Sequence, residues 1–175
     1  MIVTRLDTEQ QRRQAPAPAE RKGRAAYTVA LAGNPNSGKS TLFNALTGAR
    51  AHVGNYPGIT VEKKSGEVRV DDTTLEVVDL PGTYSLTAYS AEELVARDFL
   101  VNDRPHAVVA VLNAGALERN LYLAVQLLEL GIPIVLGLNM MDEASKMGLK
   151  LDTKRLGELL GCPAVELVAR EGLGV

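Results

Sequence analysis

One octapeptide restricts the possible folds of this chain more than any other feature. Residues 33–40 read GNPNSGKS, which matches the phosphate-loop pattern G-x-x-x-x-G-K-[ST]. An apolar, β-branched run over residues 27–32 precedes the pattern, and helical spacing over residues 39–46 follows it and stops at Gly48. This order predicts a strand, a tight loop and a helix, as in an α/β fold. The pattern by itself does not distinguish ATP from GTP.

The chemistry of the loop follows from its glycines and its lysine. Glycine lets the backbone curl so that successive N–H groups point at phosphate oxygens, and the N-terminus of the next helix adds positive potential. Lys39 is predicted to reach the β- and γ-phosphates, and Ser40 to offer its hydroxyl to Mg²⁺. The predicted phosphate-loop contacts are Gly33, Asn34, Asn36, Ser37, Gly38, Lys39, Ser40 and Thr41.

Strand-like and helix-like segments alternate along the rest of the chain. We predict further strands over residues 62–70, 74–79, 107–113, 134–139 and 164–167, helices over 90–101, 117–130 and 153–160, and a long loop over 49–61. Such alternation predicts a mixed, mostly parallel six-stranded sheet with helices on both faces. Ligands of these sheets bind at the carboxyl ends of the strands, where the motifs described next are located.

Composition divides the chain into one domain and a tail. Of the 175 residues 46% are hydrophobic and 23% charged, and the net charge of −2 argues against a nucleic-acid partner. The single cysteine, Cys162, cannot form an internal disulfide, which favours a reducing compartment. Residues 1–26 contain few large apolar side chains, so we predict a disordered tail before a domain over 27–175. The basic tail either attracts anionic lipid weakly or is simply solvated.

A second motif follows the predicted strand 74–79. Residues 79–82 read DLPG, and a carboxylate at Asp79 can hold Mg²⁺ while the Gly82 N–H bonds the γ-phosphate. Thr60, in the long loop, is the predicted second hydroxyl ligand of Mg²⁺. A loop of this kind would be ordered by a triphosphate and released after hydrolysis.

A third motif, NMMD at residues 139–142, follows the predicted strand 134–139. The Asp142 carboxylate can accept the N1 and N2 hydrogens of guanine together, whereas adenine has no such pair of donors on that edge. Met140 stands where GTPases usually carry lysine, so it covers the base without polar contacts, and we expect weaker affinity and fast release. Residues Val168, Ala169 and Arg170 form a fourth, weaker motif in which the Ala169 N–H is predicted to bond guanine O6.

With the segments between them, these motifs resemble the N-terminal G domain of the ferrous iron transport protein B family of bacterial membrane proteins. The resemblance covers residues 27–175 and is carried by GNPNSGKS (33–40), HVGNYPGITVEKK (52–64), DLPGTYSL (79–86), LERNLYL (117–123) and NMMD (139–142). Residues 55–58 and 117–123 are specific to this family, whereas the phosphate loop is generic. The resemblance implies the P-loop GTPase fold.

The resemblance also implies two switch segments. The loop around Thr60 corresponds to switch I, where Gly58 and Ile59 would also contact the nucleotide, and residues 79–93 correspond to switch II.

A potassium site is implied in the same way, formed by Asn36 and the carbonyls of Gly54 and Tyr56. K⁺ beside the phosphates would supply positive charge. Many GTPases place a glutamine directly after the DLPG glycine, where it orients the attacking water, but this chain has Thr83 there. Another group must then stabilise the transition state, and the positive charge of K⁺ would do so.

The sequence thus predicts a G domain that hydrolyses GTP to GDP and phosphate with Mg²⁺ and with stimulation by K⁺, through Lys39, Asn36, Thr60 and Gly82. The resemblance implies regulation of ferrous iron uptake at the cytoplasmic face of the bacterial inner membrane. It also implies downstream helical and membrane transport domains, a small cytoplasmic regulator, and therefore that this chain is a fragment. Alternatives are a soluble GTPase acting on ribosomes or tRNA, a guanine-nucleotide sensor with little turnover and, more distantly, an ATP-using kinase.

Overall fold

The computed structural model describes residues 27–48, 51–56, 58–87 and 89–175, so the predicted disordered tail lies outside the described residues. The strands are β1 Tyr27–Gly33, β2 Ala51–Asn55, β3 Glu62–Val70, β4 Thr73–Asp79, β5 Ala107–Asn113, β6 Ile134–Asn139 and β7 Ala164–Glu166. The helices are α1 Lys39–Thr47, α2 Ala91–Asp98, α3 Leu117–Glu129, α4 Met141–Lys146 and α5 Thr153–Leu160. No helix within these ranges has the length and apolar character needed to cross a bilayer.

The seven strands of the described residues belong to one sheet in the order β2-β3-β4-β1-β5-β6-β7. The five strands from β4 to β7 in this order pair in parallel, and β2 and β3 pair antiparallel at one edge. The predicted mixed, mostly parallel sheet is confirmed, but the predicted number of six strands is wrong. The additional strand is β2, which lies in the segment predicted as a loop. All five of its residues are exposed, so it carries no apolar alternation that would reveal it.

Helices cover both faces of the sheet, as predicted. On one face α1 packs against β1, β4 and β5 through Leu31, Leu42, Phe43, Val77 and Val111, all buried. The opposite face forms the larger core with α2, α3 and α5, which includes Ala30, Val78, Leu100, Val108, Leu123, Leu127, Leu136 and Leu138. Alternate residues of β1 therefore enter opposite cores, as the period of two requires.

Two helices depart from the prediction by more than one residue. Residues 90–93 read SAEE, a capping-box pattern that predicts the start of α2, and the structure has one of its two bonds, in which the Glu93 N–H donates to Ser90 Oγ at 3.1 Å. The Glu93 carboxylate accepts from the Tyr89 N–H instead of the Ser90 N–H. The predicted helix 90–101 continues beyond Asp98 as a π-helical turn over Phe99–Asp103, which buries Phe99 and Leu100. Helix α4 was not predicted, and it begins directly after Met140, whose φ of 63° reverses the chain at the end of β6.

Candidate nucleotide-binding site

The phosphate loop is packed too tightly for any side chain at two of its glycines. A Cβ on Gly33 would lie 2.5 Å from the Val111 carbonyl oxygen, and one on Gly38 would lie 2.1 Å from Asn139 Nδ2. Gly38 also has a φ of 84°, a left-handed conformation that favours glycine, immediately before α1. The loop thus passes over β5 and reaches the start of α1 with its backbone fixed by neighbours.

Lys39, Ser40 and Asp79 form a connected polar cluster beneath this loop. Lys39 Nζ makes an ion pair with Asp79 Oδ1, and Ser40 Oγ donates to Asp79 Oδ2 at 3.0 Å. The Lys39 side chain is only 8% exposed, so its charge needs this partner. A cavity of about 250 Å³ adjoins the cluster and is lined by Lys39, Ser40, Val61, Glu62, Lys64, Asp79, Leu80, Pro81 and Gly82.

Polar atoms without partners lie in the same loop. Both amide atoms of Asn34 and the Ser37 hydroxyl are buried and have no hydrogen-bond partner among the described residues. Buried polar groups are normally paired, so these atoms are available to polar groups of a ligand or to water.

The start of the predicted switch II is attached to β1 and to the phosphate loop. The Leu80 N–H donates to the Leu31 carbonyl at 3.0 Å, and the Thr83 N–H donates to the Gly33 carbonyl at 3.2 Å. A Cβ on Gly82 would lie 3.2 Å from Pro35 Cα, so this glycine permits the close approach of the two segments. The Thr83 side chain is buried.

The predicted switch I lies on the other side of the cavity. Gly58, Ile59 and Thr60 are exposed, and Val61 is the first residue of this loop to line the cavity. The Tyr56 N–H donates to the Val61 carbonyl at 3.0 Å, and the Tyr56 carbonyl accepts from the Ile59 N–H at 3.3 Å. These bonds close the loop into a turn between β2 and β3.

No hydrogen bond among the described residues joins the predicted potassium ligands to one another. Asn36 is exposed and has a φ of 63°, Gly54 pairs with Lys63 in the edge strand, and the Tyr56 carbonyl already accepts a hydrogen bond. The potassium assignment stays a prediction.

The Tyr56 side chain anchors switch I to the larger core. Its ring packs against that core, and Lys63 Nζ lies 5.7 Å from the Tyr56 ring centroid and 5.9 Å from that of Phe99. The Tyr56 hydroxyl is buried without a partner among the described residues. Burial, followed by the nearby Asp79 and Asp103 carboxylates, raises the pKa of Tyr56 to about 12.

Asn139 joins the phosphate loop to the base-side motifs. Its Nδ2 donates to the Ser37 carbonyl at 2.9 Å, and its Oδ1 accepts from the Ala169 N–H at 3.0 Å. The prediction that the Ala169 N–H bonds guanine O6 does not match this structure, because Asn139 already accepts that hydrogen bond. Met140 lies close by, since its Cε would be 3.4 Å from a Cβ on Gly38.

Asp142 lies at the first turn of α4 and faces Arg170. Arg170 Nη2 makes an ion pair with Asp142 Oδ2, while Asp142 Oδ1 is buried and has no hydrogen-bond partner among the described residues. Lys146 Nζ lies 3.6 Å from the same Oδ2. Val168 and Ala169 are buried beside this pair. The structure therefore brings the four predicted motifs to one edge of the sheet.

Two supporting residues were not among the predicted site residues. Glu93 accepts from the Tyr89 N–H at 2.9 Å and from Ser85 Oγ at 3.1 Å, which ties switch II to the start of α2. Buried Asn120 accepts from the Asn113 N–H at 3.2 Å and donates to the Ala116 carbonyl at 2.8 Å. The capping box pointed to Glu93, but only the fold brings Asn120 to the end of β5.

A larger cavity of about 840 Å³ lies away from these motifs, between α5 and β7. Cys162 lines it, and burial raises the pKa of this half-buried thiol, so it is protonated and weakly reactive at neutral pH. The cavity contains none of the predicted site residues. The smaller cavity at the phosphate loop is the stronger candidate because a buried cation, Lys39, and a buried carboxylate, Asp79, line it.

The sequence profile of the family described as ferrous iron transport protein B matches residues 27–175. The chain belongs to this family. It is 49% identical over 152 residues to the Fe(2+) transporter FeoB of Salmonella typhimurium, a match that covers 85% of this chain and 20% of the relative. The chain thus spans about a fifth of the length of the transporters it matches.

Solved FeoB structures have the same fold. The cytosolic domain of L. pneumophila FeoB is 46% identical with a TM-score of 0.81, over 84% of this chain and 63% of that one. A mutant of S. thermophilus NFeoB bound to GDP is 48% identical with a TM-score of 0.80, over 85% and 58%. The FeoB G-domain from Methanococcus jannaschii is 48% identical with a TM-score of 0.75, over 85% and 89%. The predicted P-loop GTPase fold is thereby confirmed.

Proposed function

We propose that this domain binds guanine nucleotides and hydrolyses GTP to GDP and phosphate. The cluster of buried Lys39, buried Asp79 and exposed Ser40 beside the phosphate loop is the observation that carries the proposal. It combines an ammonium, a hydroxyl and a carboxylate at the carboxyl end of a parallel sheet, and the solved relative from S. thermophilus is described as bound to GDP. In the reaction, water attacks the γ-phosphorus, and the bond to the oxygen bridging to the β-phosphate breaks.

Each residue of the cluster would bind a different part of the triphosphate or its metal ion. Lys39 would exchange Asp79 for the β- and γ-phosphate oxygens, and the backbone N–H groups of the loop and of Gly82 would bond the remaining oxygens. The Ser40 hydroxyl and the Asp79 carboxylate fit Mg²⁺, because this ion prefers hard oxygen ligands. Thr60 is exposed and does not line the cavity, so its hydroxyl would reach the ion only after switch I moves. Bound Mg²⁺ would neutralise charge on the phosphates.

Guanine is favoured over adenine by the base side of the site. Asp142 Oδ1 is buried without a partner among the described residues, so a ligand N–H at this point would satisfy it. Met140 would cover one face of the base, and its lack of a charged group supports the expectation of modest affinity and fast release.

Potassium stimulation is part of the proposal. The buried Thr83 side chain replaces the usual glutamine, whereas Asn36 is exposed at the edge of the phosphate loop. K⁺ held by Asn36 and by carbonyls of switch I, those of Gly54 and Tyr56, would add positive charge at the phosphates. Switch I would first have to rearrange.

We propose further that nucleotide turnover by this domain regulates ferrous iron uptake in a longer bacterial membrane protein. Support comes from relatives named Fe(2+) transporters, one of them a fusion of Fe(2+) transport protein A with FeoB in Porphyromonas gingivalis. That fusion supports a small regulatory partner, and the L. pneumophila structure, described as cytosolic, supports a position at the cytoplasmic membrane face. Loss of iron uptake in cells carrying Lys39→Ala in the full-length protein is the expected result.

Phosphate release from GTP and ATP, each with Mg²⁺ in KCl and in NaCl, tests the proposal on the 175-residue chain. We expect turnover of GTP only, faster in KCl, and loss of turnover in Lys39→Ala. Lys150→Ala is the matched control, because Lys150 is an exposed lysine outside the site. Saturable GDP binding without phosphate release would identify a sensor instead, and equal rates in the two salts would remove only the potassium assignment.

A further inference from the structure

We propose that Arg170 is a positioning residue for guanine recognition, which holds the Asp142 carboxylate in the orientation that accepts the two N–H groups of the base. Arg170 Nη2 donates to Asp142 Oδ2, and Arg170 Nη1 lies 3.4 Å from Glu143 Oε1. Among the described residues, Arg170 alone donates a hydrogen bond to the Asp142 carboxylate. The inference rests on the proposed function, since it assigns Asp142 to the base.

The backbone that carries Arg170 is fixed on both sides. A single 3₁₀ turn over Ala169–Glu171 holds it, with Ala169 buried and its N–H bonded to Asn139 Oδ1 at 3.0 Å. Val168 and Leu173 exchange two backbone hydrogen bonds of 3.0 and 3.3 Å across the base of the turn. The guanidinium is therefore presented to Asp142 from a rigid support that also contacts the phosphate loop through Asn139.

The contact with Arg170 occupies part of the Asp142 carboxylate and leaves acceptor sites that match guanine. A carboxylate has about four lone-pair sites, and Arg170 occupies one of them on Oδ2. Asp142 Oδ1 remains buried and without a partner among the described residues, which leaves it for a ligand donor. Guanine N1–H and N2–H lie side by side on one edge of the base, so they match Oδ1 and the remaining site on Oδ2.

Lys146 explains why the carboxylate needs a fixed partner. It lies one turn along α4, with Nζ 3.6 Å from Asp142 Oδ2. Without Arg170, this flexible ammonium would be the nearest cation and would not hold the carboxylate in one orientation. Val168, two residues before Arg170, has no hydroxyl that could take over.

A double-mutant cycle in GDP affinity tests the inference on the 175-residue chain, with calorimetric titration of GDP into wild type, Arg170→Ala, Asp142→Ala and the double variant. We expect Arg170→Ala to raise the GDP Kd about three- to tenfold in the wild-type background and less than about twofold in the Asp142→Ala background. Arg170→Lys should recover part of the affinity, because it keeps the charge without the planar fork.

Arg155→Ala is the matched control, since Arg155 is an exposed arginine that pairs with Glu158 at 3.2 Å on α5, and its GDP affinity should equal that of wild type. Circular dichroism melts verify folding of each variant. Unchanged or tighter GDP binding by Arg170→Ala, or equal weakening in both backgrounds, would overturn the role of Arg170. If Asp142→Ala itself binds GDP like wild type, the base assignment in the proposed function fails as well.

Discussion

Gly38 lies where the phosphate loop contacts Asn139 of the base-side motif. Two features of this position favour glycine: the backbone conformation and the lack of space for a Cβ. Gly38 adopts a left-handed φ of 84°, and any Cβ would approach Asn139 Nδ2 to 2.1 Å. We therefore expect Gly38→Ala to lower the free energy of unfolding by about 2–4 kcal/mol, as the sum of the conformational cost and the steric contact. Urea unfolding followed by circular dichroism measures this loss.

Gly131→Ala is the control for that substitution. Gly131 has a φ of 68°, but no atom of the described residues lies within 4 Å of the position that a Cβ would take, so only the conformational cost of about 1–2 kcal/mol applies. Equal losses in the two variants would show that the contact between Gly38 and Asn139 does not restrict the loop.

From the raised pKa of Tyr56 we expect the free energy of unfolding to depend on pH in the alkaline range. Its pKa is raised from 10.0 to about 12, so the folded state holds the phenolic proton more tightly than the unfolded chain does. The resulting stability is complete below pH 10 and is lost as the pH rises from 10 towards 12. Tyr56→Phe should be as stable as wild type at pH 8, or more stable by up to about 1 kcal/mol, because it removes an unpaired buried hydroxyl.

The advantage of Tyr56→Phe over wild type should grow at pH 10.5, which urea unfolding at the two pH values measures. A variant that is less stable than wild type at pH 8 would mean that the hydroxyl has a favourable partner after all.

At the scale of elements, the sequence identified what depends on periodicity or on local chemistry. Strands β3, β5 and β6 and helix α5 have their predicted bounds, because buried faces and capping residues mark them. Strand β2 was not predicted because its residues are exposed and it joins the sheet through backbone pairing with β3. Helix α4 was not predicted because it starts after Met140, which has a left-handed backbone conformation, and no residue pattern indicates that conformation.

The same division applies to the candidate site. Phosphate-loop and carboxylate residues carry recognisable motifs, so their meeting could be predicted from topology. The contact between Arg170 and Asp142 could not, because 28 positions separate the two residues and only the packing of the last 3₁₀ turn against Asn139 brings them together.

Switch II supplies a prediction about a whole segment. Glu93 bonds the Tyr89 N–H and the Ser85 hydroxyl, so Glu93→Ala should free this segment and speed amide exchange at Tyr89. The loss of unfolding free energy should be about 1 kcal/mol, as for other capping contacts. Hydrogen exchange followed by mass spectrometry measures the effect. Glu92→Ala is the control, since Glu92 is an exposed residue of the same first turn, and unchanged exchange in Glu93→Ala would contradict the anchoring role.

At the scale of the molecule, the parallel sheet gathers residues from positions 33 to 170 at one edge, so ligand binding and global stability are linked. GDP at one hundred times its Kd should add about 2.7 kcal/mol to the unfolding free energy. For a domain of this size the melting temperature should rise by about 5–11 °C. A thermal melt with GDP, compared with the same concentration of ADP, measures the shift. An equal rise with both nucleotides would contradict guanine recognition.

The two hydrogen bonds of Asn139 fix the separation between the phosphate loop and the 3₁₀ turn that carries Arg170. A single amide group links the two segments, so a movement of one is transmitted to the other. Under the proposed function, these two linked segments would select a ligand by its length as well as by its chemistry. A compound with the correct ring and the correct phosphates, joined by a longer or shorter linker than ribose, would satisfy only one end and be rejected.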